Sequence, residues 1–268
     1  MPLYNRAETL EQTIASLQNQ TYPHWELIIV DDDSSDNSVE LVKELMKNDP
    51  RIRLIESRIN QGPGLTRNAG IFANNNRYIA FLDSDDLWAP EKLETQLSFM
   101  QSENSAFTYT QYRIIDEANQ TSGLIKPKRK AKGRELLANN FVVTSSVMLD
   151  TEEFDMIQFP DMSSGEDLGL WLLLLTQTDS ARVVPQELTY LRKWSGSISS
   201  DKVQAAKNRW HMIRNRERTP LIQSLYYFAK YATLTGFKYA VSFRDQKKSN
   251  ACEQWFEELP TLKINESN

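Results

Sequence analysis

Two short apolar runs in this chain each stop at a cluster of aspartates. Leu27-Ile28-Ile29-Val30 leads into Asp31-Asp32-Asp33, and Tyr78-Ile79-Ala80-Phe81-Leu82 leads into Asp83-Ser84-Asp85-Asp86. Brief runs rich in branched and aromatic side chains read as strands buried on both faces, the kind found in parallel sheets. Open parallel sheets bind ligands beyond the carboxyl ends of their strands, which is where these aspartates stand. The carboxylates of Asp83 and Asp85, two residues apart where the chain turns, can converge on one hard divalent cation through oxygen. Aspartate and serine after a strand also cap helices and form turns, so either cluster alone leaves both readings open.

Helical and extended patterns alternate around these runs. Leu10, Ile14 and Leu17 recur at helical spacing within residues 9–18, and residues 25–30 read as a strand. Residues 38–47 are helical again, 52–56 form a short strand, 63–74 a helix, 78–82 a strand, and 90–101 a helix opened by proline. Such a βαβ series predicts an α/β fold with a parallel sheet. A length of 268 residues, 40% of them hydrophobic, allows one large domain or a domain with a small appendage. The net charge of -5 gives no basic face, so no nucleic-acid partner is expected. The single cysteine, Cys252, excludes an internal disulfide and a multi-cysteine zinc site and favours a reducing compartment. With no secretory leader and no run of about 18 apolar residues, a cytoplasmic location is expected. No Gly-x-Gly-x-x-Gly follows a strand and no Gly-Lys-Ser/Thr occurs, which removes the usual support for a dinucleotide or P-loop site.

Four motifs follow one another in the first part of the chain: Pro2-Leu3-Tyr4-Asn5, Val30-Asp31-Asp32-Asp33-Ser34-Ser35-Asp36, Asn60-Gln61-Gly62 with Arg67-Asn68-Ala69-Gly70, and Asp83-Ser84-Asp85-Asp86. In this order they resemble the nucleotide-sugar site of family 2 glycosyltransferases. The resemblance implies a GT-A fold over residues 1–200, with a Rossmann-like nucleotide-binding half and a mostly parallel sheet. A helical extension at 201–245 and a polar tail at 246–268 would follow. By the same resemblance Tyr4 lines the base pocket, Asp32 accepts hydrogen bonds from a pyrimidine edge, and Arg67 lies near base and phosphates. Asp83 and Asp85 would hold Mg²⁺ or Mn²⁺ on the diphosphate, Asp86 would support them or cap a helix, and a uridine diphosphate sugar is the best-fitting donor. The stretch Ser163-Ser164-Gly165-Glu166-Asp167-Leu168 resembles the family's Glu-Asp motif, which makes Asp167 the base and Glu166 its neighbour on the acceptor side. One carboxylate serves a single displacement, so the implied outcome is inversion, with a saccharide or lipid-linked saccharide acceptor in bacterial surface polysaccharide synthesis.

Two departures from the family pattern stand out. Its members carry a complete apolar strand ahead of Pro-x-Tyr-Asn, whereas here Met1 alone precedes Pro2. The expectation is a truncated first strand and a native chain that begins upstream. Trp194 stands where the family's histidine would be, in Leu191-Arg192-Lys193-Trp194-Ser195. Tryptophan cannot ligate a metal, so Arg192 or Lys193 becomes the expected phosphate contact. These departures keep a donor-binding but inactive paralogue open. A metal-dependent nucleotidyltransferase is the third reading, and it lacks a basic glycine-rich loop between Tyr4 and Thr9. The segment Lys126-Pro127-Lys128-Arg129-Lys130-Ala131-Lys132-Gly133-Arg134 is dense in one charge and is expected to be a mobile loop. From 202 to 243, aromatic residues interleave with Lys and Arg at helical spacing. That pattern fits packing against the main domain or a peripheral contact at the inner face of the cell membrane.

Overall fold

A computed structural model describes residues 1–162, 164–193, 202–216, 219–242, 256 and 259–260. Trp194, Ser163 and most of the 246–268 tail lie outside the described residues.

Strands β1 (Pro2–Leu3), β2 (Leu27–Asp31) and β3 (Ile52–Glu56) form a parallel sheet in the order β1-β2-β3. Helices α1 (Ala7–Gln18) and α2 (Ser38–Asn48) are the crossovers. The stripe Leu10, Ile14 and Leu17 of α1 is fully buried against Leu27 and Ile29 of β2, which is why this spacing folds as a helix over a strand. Helix α3 (Pro63–Phe72) opens on a proline after Gly62, and β4 (Tyr78–Ala80) follows it.

Strand β4 starts a second sheet with β5 (Leu87–Trp88), β6 (Phe107–Ile115), β7 (Thr121–Ile125), β8 (Lys130–Ala131), β9 (Val147–Asp150) and β10 (Ala181–Arg192). Its path is β4-β9-β6-β10-β5, with β7 added on β6 and β8 on β10. Only β6 and β10 run parallel to each other, so the expected parallel sheet holds for the first three strands and gives way to a mixed one. Helix α4 (Lys92–Ser102) connects β5 to β6, and α6 (Glu166–Leu174) precedes β10. Trp171 of α6 is fully buried between Phe107, Phe159 and Phe81, with ring centroids 5.2, 6.0 and 6.1 Å away.

The basic segment is not simply a loop. Within it β8 pairs with Ala181 and Arg182, and the Arg129 carbonyl accepts the Val183 N–H at 3.1 Å. Backbone pairing needs no charge neutralisation when the lysines point outward, and Lys128, Arg129, Lys130 and Lys132 stay exposed. Helix α5 (Glu135–Ala138) follows it.

The two sheets share no strand. A cavity of about 700 Å³ opens between them, lined by Leu27 and Ile28 of β2, by Tyr78 to Ala80 of β4, and by Met148. The Met1 amine donates to the Ile28 carbonyl at 2.8 Å, as a strand N–H would, and burial pushes its pKa down to about 5.

Helix α7 (Lys202–His211), a π-helical turn (Met212–Arg216) and α8 (Leu221–Ser242) pack onto the main core rather than standing apart. Met212 and Ile213 are buried with Leu136, Leu168 and Trp171, and Tyr227 and Phe228 lie against the same cluster. Ile222, Leu225 and Tyr226 on α8 face outward. Among the described residues no helix is long and apolar enough to cross a membrane.

Candidate active site

The loops after β1 and β2 are latched to each other by the side chains of their own motifs. Asn5 accepts the Ser35 N–H at 2.8 Å through Oδ1, while its own N–H donates to Ser34 Oγ at 3.0 Å. Asp36 accepts from Ala7 N–H and Ser38 N–H, both at 3.0 Å, and so satisfies orphan donors at the starts of α1 and α2 together. Asp32 is buried, and its two oxygens accept the Gln61 and Gly62 N–H groups at 2.8 and 2.9 Å. That bond fixes the turn into α3, where Gly62 has φ 82. Tyr4 sits half-exposed at the carboxyl end of β1.

The turn after β4 is built differently. Arg67 Nη2 donates to Asp83 Oδ1 at 2.6 Å, and Arg6 Nε lies 3.5 Å from Asp85 Oδ2. Asp86 is buried and accepts the Ser145 hydroxyl and, at 2.9 Å, the Arg192 N–H. Burial first and then neighbouring Asp83 push the Asp85 carboxyl up, and burial with Asp85 and Asp83 pushes Asp86 well up. Arg192 clamps this turn from below. Its guanidinium donates to the Asp85 carbonyl at 2.9 Å, to Asn119 Oδ1 at 2.7 Å and to Gln12 Oε1 at 3.0 Å.

A third acidic pair stands at the start of α6. Gly165, at φ 77, turns the chain into the helix, and a Cβ there would lie 2.8 Å from Met212 Cε. Glu166 and Asp167 then occupy the first turn, where the helix dipole favours negative charge. Arg67 reaches this pair as well: Nη1 donates to Glu166 Oε1 at 3.2 Å. One buried guanidinium therefore joins the β4 turn to the α6 start. Burial alone would lower its pKa, but Asp83, Glu166 and Asp167 outweigh that and hold it raised. Burial and Asp167 push Glu166 up, against the pull of Arg67. The approach of α3 to α6 depends on Gly64, where an added Cβ would meet Glu166 Cγ at 3.1 Å. Asn68 locks the same approach by exchanging two hydrogen bonds with the Phe159 backbone, at 2.8 and 2.7 Å.

This arrangement can be set beside known proteins. The profile of Glycosyl transferase family 2 matches residues 1–151. A Bacillus subtilis relative, TuaG, provisionally named as a teichuronic acid biosynthesis glycosyltransferase, is 35% identical over 86% of this chain and 92% of its own length. A relative in Escherichia coli, WfgD, is 34% identical over 92% of this chain and 96% of its own; it is named UDP-Glc:alpha-D-GlcNAc-diphosphoundecaprenol beta-1,3-glucosyltransferase. The chain belongs to glycosyl transferase family 2. Among solved structures, S. aureus TarS residues 1–349 matches with a TM-score of 0.63 over 96% of this chain and 76% of that one, at 19% identity. The TarS complex with UDP-GlcNAc matches with a TM-score of 0.62. The fold is thus GT-A-like, an α/β domain with a helical C-terminal part.

Within this family member, the residues singled out from the sequence fall into two neighbouring groups. Asp83, Asp85, Arg67, Glu166 and Asp167 form one electrostatic unit, and Tyr4 and Asp32 lie on the loops beside it. A solvated surface role for Arg67 is ruled out by its burial. Asp32 has a job that the sequence did not disclose, holding the turn into α3. Arg192 is spent on protein acceptors, and that geometry favours a clamp on the Asp85 turn over a direct phosphate contact. Among the described residues no group of three or more His, Cys, Asp or Glu side chains is arranged to hold a metal. Asp83 and Asp85 still fit the expected divalent ion: they are hard-oxygen donors two residues apart in one turn, burial and the Asp83 charge raise the Asp85 carboxyl, and Mg²⁺ is commonly held by one or two carboxylates with substrate phosphates and water.

Proposed function

We propose that the protein transfers a sugar from a nucleoside diphosphate sugar, UDP-linked, to a saccharide or lipid-linked saccharide acceptor, in surface polysaccharide synthesis and with inversion at the anomeric carbon. The observation that carries this reading is Arg67, a single guanidinium paired with Asp83 on the donor side and with Glu166, next to Asp167, on the acceptor side. A transferase must hold both substrates at one point, and this cation links the two carboxylate groups that would flank it. The activity WfgD is named for, with a UDP-sugar donor and a diphosphoundecaprenol-linked acceptor, supports the same substrate classes.

Asp83 and Asp85 would hold Mg²⁺ or Mn²⁺, which when bound neutralises charge on the departing diphosphate. Arg67 holds Asp83 in place beside the donor phosphates. Asp167 takes the proton of the acceptor hydroxyl as the new C–O bond forms and the bond from the anomeric carbon to the phosphate oxygen breaks, the electron pair leaving on UDP. Glu166 faces the acceptor. The reading puts the protein in the cytoplasm, with a peripheral contact at the inner face of the membrane where lipid-linked acceptors are met. The outward-facing Ile222, Leu225 and Tyr226 of α8 support that contact.

The test is a thermal-shift series with UDP and UDP-sugars, with Mn²⁺ or EDTA, on the protein and on Asp85→Ala, followed by turnover of Asp167→Asn. A donor at 100 times its Kd stabilises by about 2.7 kcal/mol. That shift is expected only with metal, and only in the unaltered protein. Asp167→Asn is expected to bind donor normally and to lose about 10²-fold or more of turnover. A folded protein that answers to no nucleotide would end the proposal.

A further inference from the structure

Asp167 is held at both of its oxygens. Oδ1 accepts the N–H of Leu168 at 2.6 Å, and Oδ2 accepts Nδ2 of Asn140 at 2.9 Å. Asn140 lies far from α6 in sequence, in the stretch between α5 and the 3-10 turn Thr144–Ser146. Its amide is oriented independently of Asp167. Oδ1 accepts the Val142 N–H at 3.3 Å, which turns the NH₂ group toward the carboxylate. The charged groups around Asp167 come from three elements: Glu166 beside it on α6, Arg67 on α3, and Arg209 on α7, whose guanidinium donates to the Leu136 carbonyl at 3.3 Å. None of these donates a hydrogen bond to Asp167, so among the described residues Asn140 is the side chain that sets the angle of the carboxylate.

We propose that Asn140 is the positioning residue for the catalytic base. It holds Asp167 in one rotamer and leaves the second lone pair of Oδ2 free to receive the proton of the acceptor hydroxyl. This rests on the reading of Asp167 as the base. The geometry parallels other acid–base sites, in which a third group fixes the orientation of the residue that moves the proton. Asn140 itself touches no reacting atom in this scheme. The chain around it, Ala138-Asn139-Asn140-Phe141, carries no signature that would mark it.

The experiment compares sugar transfer by the full chain and by Asn140→Ala, Asn140→Asp and Asp167→Asn. Asn140→Ala is expected to lower kcat about tenfold or more while the donor KM stays within about twofold. Asn140→Asp is nearly isosteric and tests packing separately. A purely structural role would leave it close to the unaltered protein, whereas the positioning role makes it the slower of the two variants, because an aspartate carboxylate cannot donate to Asp167 and repels it. It also keeps the question open to measurement if Asn140→Ala fails to fold. Should Asp167→Asn be inactive while both Asn140 variants keep normal kcat, the assignment of Asn140 is overturned and the base reading stands. Near-normal turnover by Asp167→Asn would overturn both.

Discussion

The loops after β2 and β4 look alike as sequence, each an apolar run ending in aspartates, yet their carboxylates do opposite work. After β2, Asp31, Asp32 and Asp36 accept backbone N–H groups at 2.8 to 3.1 Å, and these bonds tie α1, α2 and the turn into α3 together. After β4, Asp83 and Asp85 face guanidiniums, and burial with mutual repulsion raises Asp85. A carboxylate satisfied by backbone amides is a fixture of the fold, since those donors cannot leave. A carboxylate balanced by side-chain cations can exchange its partner for another cation or release it to a phosphate. On the proposed function, the difference separates what holds the fold from what would meet the substrate more sharply than the aspartate count does.

The largest effect expected from breaking this distinction is at Arg67. Arg67→Met removes the buried partner of both Asp83 and Glu166, and stranding buried charge costs about 3 kcal/mol or more. Both the melting temperature and the UDP-induced shift should fall, and a variant with unchanged stability would contradict the bridging role. Next comes Asp32→Asn on the scaffold side. The amide turns an NH₂ group toward the Gly62 N–H, leaving a buried donor unmet at about 2 kcal/mol. Denaturant unfolding should register this loss, and Asp167-dependent chemistry should survive in the fraction that stays folded.

The smallest effect is at Asp49, which accepts from Arg51 and Gln18 at the end of α2. The Arg51 hydrogen bond leads in holding its carboxyl down, from 3.8 to about 2. A depressed carboxyl contributes stability that is present above the unfolded value and is lost as pH falls through the folded one. Asp49→Asn should therefore cost under about 1 kcal/mol at pH 7, given the exposure of Arg51. It should also flatten the decline in melting temperature between pH 4 and about 2. An equally steep decline in the variant would assign that slope to other carboxylates.

Much of this architecture was legible before the fold was seen. The helices at 7–18, 38–48 and 63–72 and the strands β2 and β3 lie within a few residues of where apolar spacing and Pro63 put them, because each is encoded by its own local period. The mixed second sheet was not legible. Its central pair joins Thr108 to Arg182 and Ile115 to Arg192, and no local pattern states which distant strand a strand will choose. The same holds for the site. Aspartates at strand ends announce themselves, whereas the bonds from Asn140 to Asp167 and from the Gly62 N–H to Asp32 cross 27 and 30 residues of chain. Gly62 before Pro63 hinted at a constrained turn, but not at the residue that holds it.

The shared guanidinium of Arg67 also governs how changes in this region combine. Because its two arms serve Asp83 and Glu166 at once, the energies of those carboxylates are not separate quantities. Removing Asp83 leaves Arg67 wholly to Glu166, so the loss measured for a second substitution depends on whether the first has been made. Substitutions at Asp83 and Glu166 should deviate from additivity by about 0.5 kcal/mol or more, as groups in one ion-pair network do, although one belongs to the β4 turn and the other opens α6.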